Sequence, residues 1–148
     1  MPDFLQRRRM ARFIDRTAQQ LADVGKPEKG WIATVRLALG MSAEQVAIRK
    51  GVSRNAVYQA ERSEAEGAVS IKQMENLAAA MNARFVYAIV PNDRIEHLKY
   101  QQAMSKARGL IKEITEAGSW SADERQDWIE DKAAELLHDM PSDFWEDA

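Results

Sequence analysis

The feature that most restricts what this chain can fold into is residues 41–62, MSAEQVAIRKGVSRNAVYQAER, which predict two short helices joined by a tight turn. Ser42 and Ser53 are good N-caps, and Gly51 between them suits the left-handed position that ends a helix. On the second helix Val57 and Ala60 share one face. The opposite face carries Arg54, Asn55, Tyr58 and Gln59. A helix, a glycine turn and a second helix with an exposed polar face are typical of a helix-turn-helix that reads DNA.

The rest of the chain divides into four parts at its glycine, proline and polar residues. The predicted parts are residues 1–30 (an amphipathic helix to residue 24 and a linker), 31–90 (the helix-turn-helix domain), 91–118 (a long helix over 93–117) and 119–148 (an acidic helix and tail). Within the second part the pattern predicts helices over 31–39 and 70–81, a polar loop over 63–67 and a short strand over 85–90. Ser121 and Glu124 have the spacing of a capping box that opens the last helix. We expect a mostly α-helical fold with one short strand.

Composition excludes several kinds of chemistry. The 148 residues include no cysteine, so disulfides, thiolate metal sites and a cysteine nucleophile are ruled out. His97 and His138 stand alone, and the chain has neither a glycine-rich phosphate loop nor a serine elbow. No apolar run is long enough to span a bilayer. We therefore expect a cytoplasmic protein that is not an enzyme and holds no cofactor or metal.

The charges are distributed very unevenly along the chain. Residues 1–112 contain 19 Lys and Arg against 11 Asp and Glu, a net charge of +8. Residues 113–148 contain 2 against 12, a net charge of −10. A basic body suits a polyanionic partner, whereas an acidic C-terminal part must point away from DNA, bind another molecule or simply form a solvated face.

Residues 31–90 resemble the Xre, or Cro/cI-type, helix-turn-helix family of bacterial and phage regulators. The resemblance is carried by Arg36 four residues before Gly40, by the Val46-Ala47 pair, by the Gly-Val-Ser turn at 51–53 and by Glu61. It implies a compact five-helix DNA-binding fold in which Arg36 and Glu61 form a partly buried structural ion pair.

A narrower resemblance suggests a partner protein. Residues 30–42, GWIATVRLALGMS, and residues 85–91, FVYAIVP, are similar to the family called mobile mystery protein A, whose members are encoded beside a Fic-domain protein. The resemblance implies the antitoxin and autorepressor of an operon with a Fic-type AMP-transferase toxin. The inhibitory motif of many Fic antitoxins is not complete here, because Arg62 occupies its Ser/Thr position before Glu66-Gly67, and a surface loop is expected there.

The Xre resemblance also implies which residues contact operator DNA. We expect Arg54, Asn55, Gln59 and Tyr58 to contact bases. We expect Ser42 and Arg62 to contact phosphates. Two features depart from the family. Ala43 stands where many members have a DNA-contacting glutamine, and residues 41–82 are neutral, with five basic and five acidic side chains. Additional positive charge is available from Arg7–Arg12, Arg84, Arg94, Lys99, Lys106 and Arg108. The alternative is a protein-interaction antitoxin whose helix-turn-helix is only a scaffold.

Residues 85–114 predict a homodimer interface. Phe85, Tyr87 and Ile89 alternate onto one face of the predicted strand, and a short unpaired strand is a template for its symmetry mate. The following helix adds apolar residues Leu98, Tyr100, Leu110 and Ile114. The alternative is that this strand and helix close the core of a monomer.

The acidic C-terminal part predicts a protein-binding surface. It contains Trp120, Trp128, Phe144 and Trp145, and aromatic side chains commonly anchor protein interfaces. Its negative charge favours a basic protein surface, such as that of the Fic toxin, over DNA. The alternative is that the last helix packs on its own domain through its apolar face.

Overall fold

Helices occupy most of the chain in the computed structural model, which describes residues 1–147. Seven α-helices follow one another: α1 Phe4–Leu21, α2 Trp31–Ala38, α3 Ala43–Lys50, α4 Arg54–Ala65, α5 Ile71–Ala80, α6 Ile95–Leu110 and α7 Ala122–Asp139. Two short 3-10 helices, Ile111–Glu113 and Thr115–Ser119, lie between α6 and α7. The described residues contain no strand, so the mostly α-helical prediction is confirmed and the predicted strand is wrong.

Serine side chains begin four of these helices. The hydroxyl oxygens of Ser42, Ser53, Ser70 and Ser121 each accept a hydrogen bond from the backbone N–H three residues later. At Ser121 the Glu124 carboxylate also accepts from the serine N–H, which completes the predicted capping box. Gly51 ends α3 with a φ of 78°, the left-handed conformation that glycine adopts without strain. These caps explain why the starts of α3, α4, α5 and α7 are readable from the sequence.

The chain forms two units. The central unit comprises residues 23–89 and contains α2 to α5. Its core consists of buried apolar side chains from all four helices and from Met81 after α5: Ile32, Ala43, Val46, Ala47, Val57, Ala60, Met74, Leu77 and Met81. Four helices rather than five occupy residues 31–90. The β-branched and aromatic residues at 85–90 have low helix propensity, and Pro91 disfavours helix in the residue before it.

The terminal unit comprises residues 1–22 and 90–147. In it α6 packs against both α1 and α7. Asp15 of α1 accepts a hydrogen bond from the Ile95 N–H at 3.1 Å and so caps the first turn of α6. The core between α6 and α7 consists of Ala103, Met104, Ala107, Ala133, Leu136 and Phe144. Since α7 and the segment after it supply half of these residues, the last helix packs on its own unit.

Two further boundaries differ from the prediction. The long helix expected over 93–117 stops at Leu110 and is followed by two short 3-10 helices. The polar loop expected over 63–67 is helical through Ala65, because Glu64 is drawn inward by the N-terminus of α2. Residues 83–91 have no regular secondary structure, since no neighbouring strand offers them a ladder partner within residues 1–147.

Candidate nucleic-acid interface

The exposed face of α4 carries the residues that the sequence predicts for base contact. Val57 and Ala60 are buried in the central core, whereas Arg54, Asn55, Tyr58 and Gln59 are exposed. With 3.6 residues per turn, these four side chains and that of Arg62 leave α4 within an arc of about 140°. The structure therefore places five of the predicted DNA-contacting residues on one face of one helix.

The predicted phosphate contacts lie at two different places. Ser42 is exposed at the N-terminus of α3, where its hydroxyl oxygen accepts from the Gln45 N–H at 3.1 Å. The hydroxyl hydrogen remains available as a donor, and the start of a helix favours an anion. Arg62 is exposed near the end of α4.

Arg36 and Glu61 hold α4 against α2. The Nε of Arg36 donates to Glu61 Oε1 at 2.6 Å, and its Nη2 donates to Oε2 at 3.3 Å, so the pair is bidentate. A further donation from Nη1 reaches the Met41 carbonyl at 3.1 Å. The hydrogen bond to Glu61 is the main reason that the pKa of Arg36 is raised above its ordinary value. The guanidinium also lies over the Tyr58 ring, 5.8 Å from its centre, in a cation–π contact.

Glu64 forms a second link between the same two helices, and the sequence reasoning missed it. Its carboxylate accepts from the Trp31 N–H at 2.6 Å and from the Ile32 N–H at 2.9 Å, and the residue is only 6% exposed. These are backbone donors in the first turn of α2, where the preceding residue is Gly30 and no local side chain caps the helix. The sequence does carry a signal for this link. Gly30, which precedes α2, has no side chain to accept from the first N–H groups of the helix, so an acceptor from elsewhere in the chain is required.

The two glutamates also decide the charge of the exposed surface. Both acidic residues of α4, Glu61 and Glu64, are turned toward α2, so the charged side chains on its exposed face are Arg54 and Arg62. Across residues 41–82 the remaining charged side chains are five basic and three acidic: Arg49, Lys50, Arg54, Arg62 and Lys72 against Glu44, Glu66 and Glu75. The segment is neutral in sequence, but basic side chains outnumber acidic ones at its surface.

The aromatic cluster predicted for the C-terminus does not form one exposed surface. Phe144 is 1% exposed within the core of the terminal unit, so its assignment to a partner-binding site is wrong. Trp145 packs edge-on against it, with ring centroids 5.2 Å apart, and stays exposed. Trp120 and Trp128 are half-buried. Phe144 packs in the core that residues of α6 and α7 form.

The predicted dimerisation residues fall into two groups. Phe85 is half-buried and packs against the central core, and its ring stacks on that of Tyr87 at 5.8 Å. Tyr87 and Ile89 are exposed. On α6, Leu110 is partly buried and packs against the core of the terminal unit, while Tyr100 is exposed.

Several charged residues have structural partners that limit other roles. Lys106 was a candidate phosphate ligand, but it is buried and donates to the carbonyls of Asp143 at 2.5 Å and Glu146 at 3.1 Å. His97 pairs with Asp93, whose pKa is lowered chiefly by the Arg94 N–H and also by His97.

Within residues 1–147 no three His, Cys, Asp or Glu side chains gather as a metal site requires. None of the helices in that range combines the length and apolar character of a membrane span.

Comparison with protein-family models, with curated proteins and with solved structures finds no match to this chain. The central unit itself presents an exposed polar and basic face on α4, and the carboxylates of Glu61 and Glu64 link this helix to α2.

Proposed function

We propose that the central unit binds double-stranded DNA through a helix-turn-helix of the Cro/cI type and that the protein is a sequence-specific transcriptional regulator. In this proposal α3 and α4 are the two helices of the motif, and α4 enters the major groove. The observation that carries the proposal is that α4 turns both of its acidic residues inward and exposes Arg54, Asn55, Tyr58, Gln59 and Arg62 together. A face of this composition suits base edges flanked by phosphates.

Each exposed side chain has a defined role in this proposal. Arg54 donates to the O6 and N7 of guanine, and Asn55 and Gln59 pair with adenine, each contact contributing about 1–3 kcal/mol of discrimination. Tyr58 contacts a base edge or a phosphate. Ser42 and Arg62 contact phosphates and set the register of the protein on the duplex. The links from Glu61 and Glu64 to α2 keep α4 rigid, so that little conformational freedom is lost on binding.

The biological role follows from the narrower resemblance. The protein is, in this proposal, the antitoxin and autorepressor of an operon that also encodes a Fic-type toxin. This role is supported only by the resemblance of residues 30–42 and 85–91 to that family.

One observation favours a second candidate function, a protein-interaction antitoxin whose helix-turn-helix is a scaffold. Ala43 is buried in the central core, so the position that bears a DNA-contacting glutamine in many Xre proteins offers nothing to DNA here. Binding of the full chain to its own upstream DNA, titrated with salt, separates the two candidates. DNA binding predicts a sequence-selective complex that weakens steeply as salt rises. Absence of a complex at low salt would leave the scaffold function.

A further inference from the structure

Helix α1 presents positive charge without any negative charge on its exposed side. Arg9, Arg12 and Arg16 are exposed, and their side chains make no ion pair or hydrogen bond within residues 1–147. Asp15 is the one acidic residue of α1, and its carboxylate is turned to α6, where it accepts from the Ile95 N–H. The charged side chains that α1 exposes to solvent are therefore all cationic.

Large apolar side chains lie exposed on the same helix. Phe4, Leu5, Met10 and Phe13 are each more than half exposed. With 3.6 residues per turn, Leu5 and Phe13 leave α1 within an arc of about 100° that also contains the three exposed arginines. We call this surface the α1 face, and it consists of Leu5, Arg9, Arg12, Phe13 and Arg16. Apolar and cationic side chains alternate on the α1 face instead of occupying separate sides of the helix.

We propose that the α1 face binds the surface of a membrane that contains anionic phospholipids. The guanidinium groups contact the headgroup phosphates, because the planar fork of arginine matches the geometry of phosphate oxygens. Leu5 and Phe13 enter the boundary between headgroups and acyl chains, as the apolar residues of interfacial helices do. This binding is a separate activity of the terminal unit and does not depend on the DNA binding proposed for α4.

The apolar side chains favour a membrane over other anionic partners. A nucleic-acid duplex would neutralise the arginines through its phosphates but would leave Leu5 and Phe13 in water. A protein partner would need acidic and apolar groups in a matching alternation. A bilayer surface accepts both kinds of side chain at different depths, since the long arginine stems carry the charge up to the headgroups while the apolar groups lie deeper. A bilayer therefore uses every residue of the α1 face.

Flotation of the full chain with lipid vesicles tests the proposal. We expect binding to phosphatidylglycerol vesicles and much weaker binding to phosphatidylcholine vesicles, which carry no net charge. Replacing the three arginines of the α1 face by glutamine should weaken binding to phosphatidylglycerol about a hundredfold, because each basic side chain near an anionic surface strengthens binding about fivefold. The matched control removes three exposed positive charges from other parts of the chain, by glutamine at Lys72, Arg108 and Lys112. A wild type that does not float, or a control variant as weak as the arginine variant, would overturn the proposal.

The double variant Leu5→Gln, Phe13→Gln separates membrane binding from attraction between charges alone. Both side chains are exposed, so this variant should keep the helical circular dichroism of the wild type. We expect it to lose vesicle binding although all of its arginines remain. Vesicle binding equal to that of the wild type would overturn the proposal. So would a wild type that binds an unrelated DNA duplex through the three arginines but binds no vesicle, and that result would assign the α1 face to nucleic acid.

A fluorescent label locates the contact on the helix. Because the chain has no cysteine, Met10→Cys can be labelled at a single position with an environment-sensitive dye. Residue 10 lies beside Phe13, three positions along α1, so its emission should shift to the blue with phosphatidylglycerol vesicles. Ala79→Cys, labelled at an exposed position of α5, is the control and should show no shift. An unchanged spectrum at residue 10, or equal shifts at both positions, would contradict binding through the α1 face.

Discussion

The carboxylate of Glu64 lies directly against Gly30, such that a β-carbon built on Gly30 would be 3.0 Å from the Glu64 Cδ atom. Gly30 has a φ of 83° and a ψ of 167°, a backbone conformation that is essentially restricted to glycine. The close approach lets one carboxylate accept from both N–H groups of Trp31 and Ile32. The start of α2 and the end of α4 are therefore fixed by the same contact.

Gly30→Ala should destabilise the central unit, because the new β-carbon would meet the carboxylate and the backbone would be strained by about 1–3 kcal/mol. Gly25→Ala is the matched control, since a β-carbon at Gly25 meets no atom within 4 Å. Urea unfolding of the two variants measures the difference. Equal midpoints would contradict the close approach.

Glu64→Ala should also destabilise the central unit. It leaves the buried Ile32 N–H without an acceptor, which typically lowers the free energy of unfolding by about 1–3 kcal/mol. Glu66→Ala, two residues further along and exposed, should have almost no effect. Thermal unfolding of both variants tests this, and a Glu64→Ala variant as stable as Glu66→Ala would show that the cap is absent.

The Arg36–Glu61 pair predicts a non-additive result. Glu61→Ala leaves the guanidinium of Arg36 buried and uncompensated, which typically lowers stability by about 3–5 kcal/mol. The control is Glu75→Ala, because Glu75 is exposed on α5. Replacing both members, Arg36→Met with Glu61→Leu, should recover much of the loss because neither charge then remains buried. A double variant as unstable as the sum of its single variants would argue against direct coupling.

Lys106 should hold the C-terminal segment on α6. Lys106→Met keeps the apolar stem but removes the donor to the carbonyls of Asp143 and Glu146. Chymotrypsin cleavage after the buried Phe144, followed by mass spectrometry, should become faster in this variant. Lys112→Met removes an exposed lysine and should leave the cleavage rate unchanged. Equal rates in the two variants would mean that Lys106 does not anchor the segment.

The sequence predicts local structure well wherever the signal is carried by neighbouring residues. Ser42, Ser53 and Ser121 begin helices because each cap bonds a backbone N–H only three residues away. The spacing of Val57 and Ala60 likewise predicts which face of α4 is buried, and hence which face carries Arg54 and Gln59.

Features that depend on distant partners were not predicted. The local sequence predicts that Glu64 lies in an exposed loop. The two N–H groups from which its carboxylate accepts are more than thirty positions away, at the start of α2. The acidic residues around Phe144 predict an exposed aromatic side chain. In the structure Phe144 packs in a core with residues of α6, and the Gln102 side chain donates to its carbonyl at 2.9 Å. A strand over 85–90 was expected from propensity alone, but a ladder needs a second strand, which propensity does not report.

The proposal of sequence-specific DNA binding is tested most directly by selecting bound duplexes from a random pool with the wild type and with an Arg54→Ala, Gln59→Ala double variant. Arg49→Ala is the control, because it removes an exposed arginine from α3 rather than α4. We expect the wild type to enrich one sequence, Arg49→Ala to enrich the same sequence, and the double variant to enrich none while its circular dichroism stays helical. A double variant that enriches the wild-type sequence, or a wild type that enriches none, would contradict the account.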